Sequence, residues 1–417
     1  MDMHTHLLSN RLAVVVWRGV FWAVVLLALG GCSKHRAGDA PRPVDPDLAH
    51  PVLNYAAIPP GVEHAEYSRT QPAPLSYHVV RADLTQGGLS LAVLRTAASS
   101  GSERGSLLEM ARAIETPERR TVAAISGDYF GNGMAGTWGI LLVDGRLRYS
   151  PSGRSALLID ANGRPIIDRP QSRIQMQVGD DPAWFEIRDM NRPGQGEEPG
   201  LHLYARSSEV THVPAPKGAV AIAADLPLAG GDVVGTITGT FAAEDSFRLP
   251  ETGLVLAGAG DATKLPAGLR EGASVRIRTT IMPAAREAVG GGPRIVRDGK
   301  VSIELEPDGI CAAEASYLKR RHPRAVVGLA GGGQTVLMVL VRGRCNESEG
   351  IKLDDLADLL VGLGAADAIM FDGGDSATIV ENDSYVIQGR AGARHMCDGL
   401  AIQAPRTPEQ AVAGSAP

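Results

Sequence analysis

Two acidic loops carry the most chemistry in this sequence: Gly127-Asp128-Tyr129-Phe130 and Asp372-Gly373-Gly374-Asp375-Ser376. Each follows an apolar run that reads as a strand, and strand ends are where mixed folds hold ligands. In the second loop, paired glycines let the backbone approach a ligand closely, while Asp372 and Asp375 offer carboxylates and Ser376 a hydroxyl. The same residues also suit a plain hairpin whose Asp side chains cap the turn. A third element, Lys319-Arg320-Arg321-His322-Pro323-Arg324, enters the apolar run Ala325 to Leu329. A charge run usually marks a solvated face, but Pro323 fixes the backbone at the strand entry and so holds His322 and Arg324. The fourth, Gly290-Gly291-Gly292-Pro293-Arg294, offers backbone amides and a guanidinium to an anion, or serves as an interstrand turn. Gly331-Gly332-Gly333 lies between two apolar strands with no helix after it, so a phosphate-loop reading fails on context. The sequence contains no Gly-x-Ser-x-Gly, His-Glu-x-x-His, Cys-x-x-Cys or His-x-x-x-His pattern.

The elements that position these loops are short. Runs 77–84 and 89–96 alternate as strands around Thr85-Gln86-Gly87-Gly88, a hairpin pattern. Ser106 and Glu109 form a capping box opening a helix from Leu107 to Ile114, followed by a strand from Thr121 to Ser126. Further hairpin marks stand at 143–146, 160–163, 297–300 and 341–344. Residues of about 165–265 read as an inserted β-rich subdomain of Pro- and Gly-interrupted strands. Leu353, Leu356, Ala357, Leu360 and Leu363 recur at helical spacing and Gly362 and Gly364 end that helix. Strand 368–371 then runs into Asp372, and a last strand covers 400–403. The fold class expected is α+β: a mixed, curved sheet with few helices and the β-rich insert.

The chain has 417 residues, with 41 Lys plus Arg against 47 Asp plus Glu, and 44% hydrophobic residues, a core-forming composition. With no basic excess to displace phosphate counterions, nucleic acid is not an expected partner. Fifty glycines and 27 prolines favour short strands over helical bundles. Arg11 and Arg18 precede the apolar run 20–29, too short to span a bilayer, which ends in Leu29-Gly30-Gly31-Cys32. That pattern resembles a bacterial lipobox, which implies a signal peptide over 1–31, lipid on Cys32 and attachment to the membrane; an uncleaved signal anchor or ordinary secretion is the alternative reading of the segment. Ser33 resembles the outer-membrane sorting choice, so the expected location is the bacterial envelope, facing the periplasm. Residues 32–75 read as a Pro- and Ala-rich tether and 406–417 as a flexible tail. One disulfide at most can form among Cys311, Cys345 and Cys397.

In order and spacing, Gly127-Asp128-Tyr129-Phe130, Val289 through Gly299, His322 through Gly328 and Leu363 through Thr378 together resemble the phosphodiester glycosidase family. The resemblance covers roughly 77–403. It implies hydrolysis of a sugar-1-phosphodiester between the anomeric carbon and the phosphate oxygen, in envelope glycans or exopolysaccharide, without a required cofactor. The roles it suggests are Asp372 or Asp128 as nucleophile or base, and Arg324, His322, Arg294 and the Gly291 and Gly292 amides against the departing phosphate. Tyr129 would wall the sugar, Gly373, Gly374, Asp375 and Ser376 would shape the pocket, and Arg394 is a further substrate-binding candidate. Asp375 replaces a glycine usual in the family and Ala325 a threonine. The first change sets Asp375 beside Asp372, a pair that would share a proton or attract a divalent cation. If they shared a proton, activity would fall as both ionise. These departures also keep a second class in view: a non-catalytic carbohydrate-binding or exopolysaccharide-assembly lipoprotein of the same fold.

Overall fold

The computed structural model describes residues 43–96, 104–131, 134–192, 199–207, 210–214, 216–242, 246–259, 265–387 and 394–407. Cys32 and the signal segment lie outside the described residues, as does the tail beyond 407. The described residues from Asp45 onward fall in one compact unit.

Among the described residues strands dominate, with 48% strand against 10% helix, so the expected α+β class with few helices holds roughly, in a β-dominated form. An eight-stranded sheet runs, in spatial order, through Ala56–Ala57, Val62–Arg69, Leu75–Asp83, Thr335–Val341, Arg324–Ala330, Asp367–Phe371, Arg294–Arg297 and Lys300–Val301. A five-stranded sheet of Ser384–Ile387, Ile379–Glu381, Arg119–Ser126, Asp398–Pro405 and Ser90–Arg95 shares its main apolar core. The two-residue side-chain period of a strand decides which residues meet there. Val327 and Leu329, Ile369 and Phe371, and Leu400 and Ile402 join that core. The alternate residues Val326, Ala368 and Met370 pack with the helix Leu353–Gly362 on the other face. Burying one large aliphatic side chain in such layers contributes about 2 kcal/mol.

The region expected to hold the β-rich insert contributes to a second eight-stranded sheet. That sheet spans Gln171–Val178 to Ser274–Met282, so it begins and ends later than the expected 165–265. The strand Ser274–Met282 alternates exposed and buried residues along its length, which sets an apolar inner face against a solvated outer one.

Three expectations need correction. Residues 45–75, expected within a tether, hold a short helix at Pro46–Ala49 and the strand Val62–Arg69, which pairs with Leu75–Asp83 along its whole length. The surrounding composition is Pro-rich, but the run Val62–Arg69 itself contains neither Pro nor Gly, so nothing in it bars ladder pairing. Thr85-Gln86-Gly87-Gly88 is a corner, because Leu75–Asp83 and Ser90–Arg95 belong to different sheets. The mark at 341–344 likewise leads into no paired strand, whereas those at 143–146, 160–163 and 297–300 do close hairpins. None of the three described cysteines is in a disulfide: Cys397 is buried while Cys311 and Cys345 are exposed. Among the described residues, no helix is long and apolar enough to cross a membrane.

Candidate active site

The strands Arg324–Ala330 and Asp367–Phe371 pair antiparallel, with Ala325 opposite Phe371. Arg324 begins one strand and Asp372 follows the other, so the pairing places both at one end of the sheet. There an open cleft of about 220 Å³ is lined by Tyr129, Tyr317, Leu318, His322, Pro323, Arg324, Arg344, Met370, Asp372, Gly373, Gly374, Asp375 and Arg394. The two acidic loops are tied together beneath it: Asp372 N–H donates to Gly127 O at 2.7 Å, and the Ser126 hydroxyl donates to Asp372 O at 3.2 Å. Gly373 is required by close approach, since a Cβ there would lie 2.6 Å from Pro323 O.

Asp372 faces this cleft, and burial raises its pKa to about 7. The Ser376 hydroxyl and Arg394 oppose that rise, while Asp128 and Asp375 add to it. Arg324 is buried, and its Nη2 donates to Leu318 O at 2.6 Å and Arg320 O at 3.1 Å. Among the described residues no carboxylate reaches it at ion-pair distance. A buried guanidinium held only by carbonyls keeps most of its charge for a further anion. His322 stacks on Tyr317 with ring centres 4.0 Å apart, and its Nε2 is buried without a partner. Burial, with Arg324 and Arg344 nearby, lowers its pKa to about 4. His322 is therefore neutral at physiological pH and cannot supply the positive charge expected of it; it offers a neutral donor or acceptor. The Tyr129 hydroxyl is also buried without a partner, and burial raises its pKa. Ser376 is fully buried behind the loop.

Asp375, expected beside Asp372, makes its ion pair with Arg344. Its carboxylate accepts from Arg344 Nη1 at 3.0 Å, while Arg344 Nη2 donates to the Tyr317 hydroxyl at 2.8 Å. The added carboxylate thus positions a cation at the cleft mouth. Among the described residues, no group of three or more His, Cys, Asp and Glu is arranged to hold a metal ion.

Two other carboxylates, Asp128 and Asp398, are both fully buried and meet through the Asp128 amide. Asp128 lies behind the cleft wall. Its Oδ1 accepts from Tyr129 N–H at 2.8 Å, and its Oδ2 accepts from the Thr137 hydroxyl at 2.6 Å and from Gly139 N–H. Both oxygens are thus occupied by hydrogen bonds, and Asp128 does not line the cleft. Asp128 N–H in turn donates to Asp398 Oδ1 at 2.6 Å, while Asp398 Oδ2 has no partner. Burial raises both pKa values. The donor count puts the charge on Asp128 and a proton on Asp398.

The insert reaches this pair through Arg192. Its fully buried guanidinium donates to Thr137 O at 2.8 Å, to Ser150 O and to Gly139 O, fixing the turn that grips Asp128. Gly290 packs on the same carboxylate, and a Cβ there would lie 2.6 Å from Gly139 Cα and inside contact distance of Asp128 Oδ2. Gly290→Ala is therefore expected to cost about 2 kcal/mol of stability, as overpacking does. Chemical denaturation checks this, and a stability equal to the parent would refute the packing.

Arg294, Gly291 and Gly292 do not join the cleft. Arg294 Nη2 donates to Asp367 Oδ1 at 2.7 Å and Ile167 O at 2.6 Å, a structural pair. Gly292 N–H is taken by Met370 O at 2.8 Å, and a Cβ on Gly291 would lie 2.6 Å from that same oxygen. This glycine run exists for close strand packing, not for anion binding. Sequence reasoning missed Arg344, Tyr317, Asp398 and Arg192. For Asp398 a signal was present: it shares the two-residue period of Leu400, Ile402 and Ala404, which all turn into the core.

Residues 229–403 match the phosphodiester glycosidase family. The matched segment holds His322, Arg324, Arg344, Asp372, Arg394 and Asp398, while Asp128 and Tyr129 precede it. It ends at Gln403, where the resemblance read from the motifs also ends, and begins inside the insert. By sequence, no curated protein matches the chain. Among solved structures, a hypothetical protein from Synechocystis superposes with a TM-score of 0.66 at 17% identity, over 85% of this chain and 64% of that one. The chain thus spans less than two thirds of that protein's length. A structure from Burkholderia pseudomallei K96243 gives 0.58 at 18% identity, over 79% of this chain and 74% of that one. The zebrafish N-acetylglucosamine-1-phosphodiester alpha-N-acetylglucosaminidase catalytic domain, auto-inhibited by its pro-peptide, gives 0.44 at 14% identity, over 85% and 88%. The first two likenesses concern the fold alone; the phosphodiester glycosidase match supports a hydrolase family.

Proposed function

We propose that this protein hydrolyses sugar-1-phosphodiesters at the cleft between Asp372 and Arg324. One observation carries the reading: a carboxylate titrating near neutrality and a buried guanidinium without a carboxylate partner line the same cleft, within a phosphodiester glycosidase match. A phosphodiester is a weak base and departs from the anomeric carbon without being protonated, so the chemistry needs charge more than acid. Ionised Asp372 stabilises the oxocarbenium-like carbon, either attacking it or taking the proton of an attacking water. As the C1–O bond breaks, its electron pair stays on the departing phosphate, which Arg324 receives. Tyr129 and His322 present unpartnered polar atoms toward the same space. Asp128, Thr137, Gly139 and Arg192 keep the neighbouring loop in register.

In this reading lipid on Cys32 holds the hydrolase at the outer membrane, facing the periplasm, where envelope glycans and exopolysaccharide carry such linkages. The Leu29-Gly30-Gly31-Cys32 pattern supports that placement. The test is to incubate the purified chain with a panel of sugar-1-phosphodiesters and separate the products. Release of reducing sugar with an intact phosphomonoester supports the reading. Saturable glycan binding with no turnover on any diester would replace it with the binding or assembly lipoprotein.

A further inference from the structure

The cleft carries more positive charge than one phosphodiester needs, and this inference rests on the reading of that cleft as a sugar-1-phosphodiester site. A phosphodiester brings a single negative charge, for which Arg324 at the floor suffices. Arg344 is matched by Asp375. Arg394 is exposed at the rim, where its guanidinium lies 5.1 Å from the Phe130 ring centre. Among the described residues it has no carboxylate at ion-pair distance, and its charge acts on Asp372. Arg104 stands over the same ring at 5.0 Å. Arg154 covers Tyr129 and Trp138 at 5.4 and 5.3 Å, with its Nε donating to Gly291 O at 3.2 Å. A guanidinium laid on an aromatic face is held in place while its N–H edge stays open to an anion. The chain as a whole has a formal charge of -6, so this concentration of arginines runs against the background.

We propose that Arg394, set on Phe130, forms a second anion subsite at the rim, and that the preferred substrate carries a negatively charged group beyond the scissile phosphate. Two chemical sources fit: the second phosphate of a sugar-1-diphosphate ester, or the carboxylate of an acidic sugar on the far side of the diester. A neutral group there would leave the Arg394 cation unused.

The test compares kcat and KM for three substrates, a sugar-1-diphosphate ester, a diester bearing a uronate and a diester bearing a neutral sugar, using the full chain. Wild type, Arg394→Gln and Arg278→Gln are assayed at pH 8.5, above the titration of Asp372. Arg278 pairs with Asp232 on the outer face of the insert and controls for net charge. Wild type is expected to favour at least one dianionic substrate by about tenfold in kcat/KM, chiefly through KM, the size of one charge-assisted hydrogen bond. Arg394→Gln should abolish that preference and Arg278→Gln should keep it. The preferred substrate identifies the source of the anion. Equal loss on all three substrates, or no preference in wild type, overturns the subsite. Calorimetric titration with inorganic pyrophosphate and with inorganic phosphate separates this from failure of the hydrolase reading. Tighter pyrophosphate binding, lost in Arg394→Gln, supports the subsite even if no diester turns over. Equal binding of the two anions by all three proteins, with no dianion preference in turnover, overturns it.

Discussion

Asp372→Asn should lower kcat/KM on a sugar-1-phosphodiester by about a thousandfold or more, while its thermal midpoint at pH 8 rises. The activity loss follows because the amide cannot supply the charge that stabilises the oxocarbenium-like carbon. The gain in stability follows from burial: a carboxyl whose pKa is raised to about 7 ionises in the folded protein only against the cost of leaving water. Raised pKa means that its favourable contribution is complete at low pH and is lost as pH rises from about 4, where an unfolded Asp titrates, through 7. In wild type, kcat/KM should therefore climb through about pH 7 to a plateau, since the ionised form is the working one and this ratio reports the free enzyme. A pH profile flat from 5 to 8, or full activity in Asp372→Asn, would remove Asp372 from the reaction.

Asp398→Asn should make the protein more stable than wild type at alkaline pH and nearly equal to it in mild acid. The folded Asp128 and Asp398 pair holds one proton that the unfolded chain releases above about pH 4, so wild-type stability falls with pH. The limiting slope for one proton is about 1.4 kcal/mol per pH unit. Asparagine mimics the protonated acid: its Oδ1 still accepts from Asp128 N–H, while Asp128 keeps Tyr129, Thr137 and Gly139 as donors. The difference in unfolding free energy between the two proteins should thus grow by about that slope from pH 5 upward, measured by urea denaturation at several pH values. Parallel pH dependences would mean that the pair carries no proton in the folded state.

Composition and local pattern determined much of this protein. The period-two runs gave the central strands, the capping box of Ser106 and Glu109 is formed as expected, and the helix over Leu353–Gly362 buries Leu353, Leu356, Ala357 and Leu360 as expected, while Leu363 caps its end and is half-buried. The motif order also located the end of the sheet where Asp372, His322, Arg324 and Tyr129 converge. These features are local, because side-chain spacing, turn chemistry and caps act within a few residues along the chain. What the sequence could not decide were the meetings between distant segments. Thr85-Gln86-Gly87-Gly88 turns the chain whether or not the flanking strands pair, so it could not show that they enter different sheets. Asp375 reads as a partner for Asp372 until the fold brings Arg344 to it, and Arg294 and Gly292 read as anion binders until Asp367 and Met370 occupy them. Asp128 is separated by 270 residues from Asp398, which accepts from its amide. The proton they hold and the neutrality of His322 arise from burial, which exists only once the sheets have packed and water has been excluded.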